Sequence, residues 1–372
     1  MTKPIRVLHI LQRMEAGGTQ ALLMNIYRKI DRSLIQFDFL VEYPEKNFYD
    51  DEIISLGGKI YYSNVRNDLN ILKFEKQLIE ILNSNQEYKI VHVHTYSIGY
   101  FCLKTAKRCG VPIRIAHSHS NAMTKDNKKY IKMLLQKLYT IYATDLLACS
   151  VEAGKYLFKN KHFKVLTNAI DSNKFSSNIK VRNELKKEFN LNNSFVVGHV
   201  GRFRPEKNHH FLIDVFYEIK KKKSNAVLIL VGTGDLESEI HDKVEKVGLS
   251  DSVKFLGNRT DMHKIYQMMD VFVFPSIYEG LGIVAIEAQA AGIPIVCSDG
   301  LPDESNISPL FIKKSLDDTS KDWAKICIKA SKNKLSHTDM KQYVINSGFD
   351  LDSTVKYIQN YYVDCFGKIS RK

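Results

Sequence analysis

Short apolar runs alternate with amphipathic stretches along almost the whole chain, and the alternation breaks once and then restarts. Residues 5–11, 37–41, 90–93, 112–116 and 145–149 read as strands, while 19–30, 69–82 and 128–142 carry helical spacing. A polar stretch at 171–193 follows, with one helical segment at 181–189. Strands then recur at 195–200, 226–231, 253–256, 271–274 and 293–297, with a helix at 208–222. Strands joined through helices pair parallel, because the crossover returns each strand to the same edge, and helices then cover both faces of the sheet. The expected fold class is α/β, with two Rossmann-like doubly wound domains facing across a cleft. At 372 residues the chain is long enough for two separate cores.

Charge is spread unevenly. Residues 1–180 hold 27 Lys and Arg against 16 Asp and Glu, and the whole excess lies within 101–180, where 15 basic residues face 4 acidic ones. The basic stretch fits an anionic membrane surface, a phosphate-bearing acceptor or nucleic acid, and equally a solvated lysine-rich face. It lacks a nucleic-acid-binding motif, so no nucleic-acid partner is expected. No apolar run reaches bilayer-spanning length, and the first residues lack a signal-peptide core, so the expected location is cytoplasmic. The six cysteines (102, 109, 149, 297, 327, 365) show no paired or metal-type spacing and are expected to be reduced and mostly buried.

Two loops carry the chemistry. The run Val271-Phe272-Val273-Phe274 leads into Pro275-Ser276-Ile277-Tyr278-Glu279-Gly280-Leu281-Gly282-Ile283 and then a helix containing Glu287. A strand, a glycine turn and a helix N-terminus make an anion site from backbone N–H groups. Eight residues of helix span about 12 Å, so Glu279 and Glu287 are too far apart to share a proton with ease and suit two parts of one extended ligand. The second loop, Gly201-Arg202-Phe203-Arg204-Pro205-Glu206-Lys207, follows the strand at 195–200 and offers two cations to a diphosphate. A structural turn acid, a helix glutamate and ordinary surface cations are the competing readings. They lose weight because both loops sit at strand C-termini of one inferred sheet, where open α/β sheets bind ligands.

Gly17-Gly18 lies between the first strand and first helix without a full dinucleotide fingerprint. His92 and His94 alternate at one strand end, and His117-Ser118-His119 follows another. As zinc ligands they lack a third partner at recognisable spacing, so no metal site is expected and hydrogen-bonded structural roles fit better. Asp350-Leu351-Asp352 spells a metal-type DxD but precedes a helical stretch, where capping is the better reading. A Walker A loop, a GxSxG elbow and an HExxH pair are absent from the sequence.

Together, Glu279-x7-Glu287 within Pro275-Ser276…Gly280-Leu281-Gly282, Gly201-Arg202…Lys207-Asn208, Gly232-Thr233-Gly234, Phe255-Leu256-Gly257, Gly17-Gly18 and Asn168-Ala169-Ile170-Asp171 resemble glycosyltransferase family 4, of GT-B fold, over nearly the whole chain. The resemblance implies a retaining, metal-independent enzyme with no cofactor, which moves a hexose or N-acetylhexosamine from a nucleotide-sugar, UDP ahead of GDP, in capsular or exopolysaccharide synthesis. The implied acceptor is a saccharide on a lipid pyrophosphate. It assigns 1–172 to the acceptor domain, 173–352 to the donor domain and 353–372 to a helix returning to the first domain. Glu279 would hold donor-sugar hydroxyls and Glu287 the ribose. Arg202 and Lys207 would neutralise the diphosphate, and the backbone of Gly280, Leu281, Gly282 and Ile283 would meet sugar and phosphate. Gly257 and Asn258 resemble a base-binding loop. Gly17 and Gly18 would approach the donor phosphate, and His119, or His117 if the match slips by two, would reach the transferred sugar. Lys125, Lys128, Lys129 and Lys132, with Met133, Leu134, Leu135 and Leu138, would lie on the inner membrane face as a peripheral contact. Gln20, Leu281 and Ala169 depart from the family's usual glutamate, phenylalanine and glycine. A GT-B-like sugar-nucleotide epimerase, a silent binding member and a nucleic-acid binder using the basic 101–180 face are the alternatives.

Overall fold

The computed structural model describes residues 3–15, 17–96, 98–119, 135, 138–333, 335 and 337–369. The chain divides into two compact units, one formed by Met1–Ile170 with Leu351–Lys372 and the other by Asp171–Asp350.

The first unit carries β1 (Ile5–Leu11), β2 (Ile35–Val41), β3 (Ile60–Tyr62), β4 (Ile90–Val93), β5 (Ile113–Ser118), β6 (Asp145–Ala148) and β7 (Lys164–Val165). They pair parallel in the order β3-β2-β1-β4-β5-β6-β7. The order reverses direction between β1 and β4, the switch point at which doubly wound sheets open a crevice beyond the strand C-termini. Alternate side chains go to opposite faces. Val7, Leu11, Ile90 and Ile115 pack with Tyr27, Phe37 and the last helix, Leu351–Ile369. Leu8, Ile10, Val91 and Val93 pack on the other face with Leu78 and Leu103. The last helix is tied to the first unit by Val355, Ile358 and Tyr362 in its core and by a 2.7 Å ion pair from Lys29 to Asp352 in its first turn. Asp352 lies in the first turn of this helix, where a negative charge meets the positive end of the helix dipole.

In the second unit β8 (Phe195–Val200), β9 (Ala226–Val231), β10 (Val253–Phe255), β11 (Val271–Phe274), β12 (Ile295–Ser298) and β13 (Phe311–Lys314) pair parallel in the order β10-β9-β8-β11-β12-β13. The switch point here falls between β8 and β11. Val197, Leu228 and Val273 meet Leu212, Phe216 and Trp323 in its core. The turn after β9 runs against the loop after β8. Gly232 has φ +130°, and a Cβ there would stand 2.3 Å from the carbonyl oxygen of Gly201. Both the backbone angle and the contact with main chain exclude a side chain. Gly232→Ala is therefore expected to cost about 2 kcal/mol or more in stability, measured by urea unfolding; an unchanged midpoint would contradict that close approach.

The expected strands all form, five of them with the expected bounds and the others with ends moved by one or two residues. The expected helix at 128–142, and with it Lys125, Lys128, Lys129, Lys132, Met133 and Leu134, lies largely outside the described residues. All six cysteines are unpaired, and five are buried. Among the described residues, no helix is long and apolar enough to cross a membrane.

Candidate functional site at the two switch points

The loops after β8 and β11 flank the second switch point and are bonded to each other. The Ile277 N–H donates to the Glu206 carbonyl at 2.8 Å. Lys207 Nζ donates to Glu279 Oε1 at 2.5 Å, with only 18 % and 11 % of the two side chains exposed. The same ammonium lies 5.2 Å from the centre of the Phe274 ring. Breaking a charge pair this shielded leaves a buried charge poorly compensated, so the pair fixes both side chains at the mouth of the sheet. Arg202 is half-buried in the same loop.

Gly282 is the N-cap of the helix Ile283–Ala290 and has φ +68°, a left-handed angle that lets the chain leave the Glu279 turn and enter the helix. Gly280, Leu281 and Ile283 flank it, with Leu281 buried and its carbonyl accepting a bond from Ser305 Oγ. Glu287 sits inside this helix. Its carboxylate accepts a 3.0 Å hydrogen bond from Tyr266 Oη. Burial raises its pKa from the ordinary 4.5 to about 7, with the Tyr266 bond acting in the opposite direction. Glu279 and Glu287 thus bond different side chains, Lys207 and Tyr266. Tyr266 was not legible as a partner, since it comes from a short helical segment 21 residues earlier in the chain.

Gly257 has φ +60°, and its carbonyl accepts the Gly232 N–H at 2.9 Å. Asn258 is exposed, with Nδ2 donating to Thr233 Oγ1 at 3.2 Å. The turns after β9 and β10 are therefore one connected rim beside the Arg202 loop.

At the first switch point, Gly17 caps the helix Gly18–Lys29, and Gly18 is exposed. Gln20 bonds back to the Arg13 carbonyl at 2.7 Å. Beside them five imidazoles line one sheet face: His9 of β1, His92 and His94 of β4 and its end, His117 and His119 of β5 and its end. His9 Nδ1 and His94 Nε2 are 3.0 Å apart, and His94 Nδ1 and His119 Nε2 are 2.8 Å apart. His92 bonds Tyr362 Oη at 2.8 Å and His117 Nδ1 at 3.1 Å. His9 is registered opposite His92, and His92 opposite Ile115, so each bond runs diagonally to a residue two positions ahead. Burial holds all five below the ordinary histidine range, His9 and His119 at about 3.

The sequence spacing shows no third metal-type ligand beside these histidines, and the fold brings further rings close. His9, His92 and His94, and likewise His94, His117 and His119, each bring one ring nitrogen within 4.8 Å of the others. The local spacing gave no sign of this because the third ligand comes from a neighbouring strand. Of the two candidates for an open position, His117 is fully buried and only His119 is partly exposed.

Residues 181–346 match the family described as Glycosyl transferases group 1. The chain is 34% identical over 369 residues to the putative glycosyltransferase EpsF of Bacillus subtilis (strain 168), covering 96% of each. It is 24% identical to the UDP-Gal:alpha-D-GlcNAc-diphosphoundecaprenol alpha-1,3-galactosyltransferase of Escherichia coli, covering 97% of each. The crystal structure of Anabaena Alr3699/HepE in complex with UDP-glucose superposes with a TM-score of 0.79 at 19% identity, over 96% of this chain and 99% of that one.

Proposed function

The chain belongs to the group 1 glycosyl transferases, GT-B enzymes of the family 4 type, and from that premise we propose that it is a retaining, metal-independent hexosyl- or N-acetylhexosaminyltransferase. Its donor is a UDP-sugar and its acceptor a saccharide on a lipid pyrophosphate, in cell-surface polysaccharide synthesis. The observation that carries the reading is the Lys207–Glu279 pair at the second switch point, beside a glycine-capped helix N-terminus. Support for the substrates comes from two similar proteins: the E. coli relative is named for a UDP-Gal donor and a diphosphoundecaprenol acceptor, and HepE was crystallised with UDP-glucose.

In this reading Glu287 receives the ribose hydroxyls and Glu279 the hydroxyls of the transferred sugar. Lys207, already bonded to Glu279, turns part of its donor capacity to the diphosphate. Arg202 adds a forked guanidinium, and the N–H groups around Gly282 and Ile283 add the helix dipole. Gly257 and Asn258 border the base. His119 and the Gly17–Gly18 backbone go to the transferred sugar and the donor phosphate. As the C1–O bond breaks, the sugar gains positive charge and the leaving diphosphate negative charge. Fixed cations aimed at the latter lower the barrier without a metal. The acceptor oxygen bonds C1 on the face the diphosphate leaves, and its proton passes to a phosphate oxygen, so configuration is kept without a carboxylate nucleophile.

A panel of UDP- and GDP-sugars, read by thermal shift and by release of nucleoside diphosphate in EDTA, tests this. UDP-hexoses or UDP-N-acetylhexosamines should stabilise the protein and release UDP slowly. Conversion of the sugar while it stays attached to the nucleotide would favour the epimerase alternative, and indifference to the entire panel would overturn the donor class. The basic 101–180 region supports a peripheral contact with anionic lipid at the cytoplasmic face. The protein is expected to sediment with anionic liposomes and to be released by salt; equal recovery with neutral liposomes would exclude the contact.

A further inference from the structure

We propose that Arg13, stacked on Tyr43 at the first switch point, binds the diphosphate of the acceptor, and that Gln20 is the positioning residue that aims it. That the bound group is the acceptor's rests on the function proposed above; that an anion binds here is argued from the first unit alone.

Arg13 follows β1, in the loop that leads to Gly17-Gly18. Successive carbonyls tie this loop to different parts of the unit. The Gln12 carbonyl accepts the Glu42 N–H, just past β2, at 3.1 Å. The Arg13 carbonyl accepts Gln20 Nε2 at 2.7 Å, and the Met14 carbonyl accepts the Tyr49 N–H at 3.1 Å. The Met14 side chain is fully buried. A loop held at each residue has little freedom left to lose, so the Arg13 side chain starts from a preorganised base.

The central carbon of the Arg13 guanidinium lies 3.6 Å from the centre of the Tyr43 ring. That spacing is the contact distance of two carbon surfaces, so the planar group lies flat on the ring. Stacking occupies the faces of a guanidinium and leaves its N–H groups, which point outward in its plane, for hydrogen bonds. Arg13 uses none of them: its side chain makes no ion pair or hydrogen bond among the described residues, and its Nε is buried without a partner. The terminal nitrogens are not enclosed in this way. A buried orphan donor is rare and costly, and on a fixed, stacked arginine it marks a charge held ready for a ligand.

The neighbouring arginine shows the contrast. Arg66 donates through Nε to the fully buried Glu42, and its Nη2 lies 3.4 Å from Thr95 Oγ1. Arg66 is thus neutralised where it stands, whereas Arg13 meets the ring of the next residue, Tyr43, in place of an acid. The helix Gly18–Lys29 opens beside the loop with no acidic residue in its first turn, and Glu15 is held by another partner. A planar fork of N–H groups matches pairs of phosphate oxygens. In the proposed reaction the donor's diphosphate goes to Lys207 and Arg202 of the second unit, so the diphosphate left for Arg13 is the acceptor's. Gln20 suits the positioning role because an amide N–H can donate to the Arg13 carbonyl and a carboxylate cannot.

The test is calorimetric titration of the full chain, saturated with UDP, with octyl diphosphate, and with octyl glucoside as the neutral control. Wild type should bind one octyl diphosphate per chain and no octyl glucoside. Arg13→Gln should weaken that binding about tenfold or more, and Arg13→Lys, which keeps the charge and loses the fork, should fall between. Both should keep wild-type affinity for UDP. Gln20→Glu leaves Arg13 in place and removes the bond to its carbonyl. It should weaken octyl diphosphate and spare UDP, which a general loss of structure would not do. If the Arg13→Gln variant does not fold, Arg13→Lys decides by the same comparison. Equal binding of octyl diphosphate by wild type and Arg13→Gln, binding that UDP abolishes, or an equal fall in UDP affinity would each overturn the proposal. So would equally tight, Arg13-dependent binding of octyl glucuronide, which would assign the site to a sugar carboxylate. Arg13-dependent binding of octyl diphosphate by a chain that binds no UDP would keep the anion site and remove the function assigned to it.

Discussion

Lys207→Ala is expected to lower turnover by about a hundredfold to a thousandfold, the range found when one preorganised charge-stabilising group is removed. The loss should fall on kcat more than on KM, because the diphosphate gains its extra charge only as the C1–O bond breaks. Two effects must be separated. The substitution removes a cation from the leaving group, and it also takes away the ammonium bonded at 2.5 Å to the Glu279 carboxylate, which is only 11 % exposed. Lys207→Met combined with Glu279→Gln replaces the pair by neutral groups of similar size. It should recover stability in urea unfolding and leave turnover low. A single variant with unchanged kcat would remove Lys207 from the reaction. Arg202→Ala should act in the same direction.

Affinity for UDP is expected to fall about tenfold between pH 8 and pH 6, because Glu287 titrates at about 7 in this fold. Ribose hydroxyls donate to the ionised carboxylate and favour it over the acid. At pH 8 most of the population is already in the binding form, and at pH 6 most must first lose a proton. Glu287→Gln should bind UDP about tenfold or more weakly, with little dependence on pH in this window. The stability of the protein carries the same signature with its own sign. An unfolded glutamate ionises near 4.5 and the folded one near 7. The folded state therefore holds the proton more tightly, and wild type loses stability as pH rises from about 4.5 to about 7 and no further above that. The glutamine variant should lack this decline. Flat UDP affinity between pH 6 and pH 8 in wild type would separate Glu287 from the ligand.

Much of this site can be read along the chain because each piece is local. Gly282 in its left-handed angle, the helix it caps and the cations after β8 all follow from short runs of sequence around a strand end. The sheet order then does what the sequence cannot show in detail, bringing the β8 and β11 loops together as Lys207 and Glu279. What escaped the sequence is tertiary. Tyr266, from a short helical segment, meets Glu287 of a later helix, and the five imidazoles of β1, β4 and β5 form bonded chains through strand registers that no local spacing encodes. Short elements were missed for a similar reason: β3 has three residues and β7 two, too few for a period to emerge. Beyond residue 297 the sequence reading named no further strand, yet β13 and the helix Ser320–Ala330, carrying the buried Trp323, complete the second sheet and its core.

The most direct measurement is calorimetric titration of wild type and Lys207→Ala with UDP at pH 8 in EDTA. Saturable binding of one UDP per chain to wild type, strongly weakened in the variant and unaffected by the chelator, is the predicted result. No saturable binding, equal binding by both proteins, or binding that appears only when a divalent ion is restored would contradict a metal-independent diphosphate site at the second switch point.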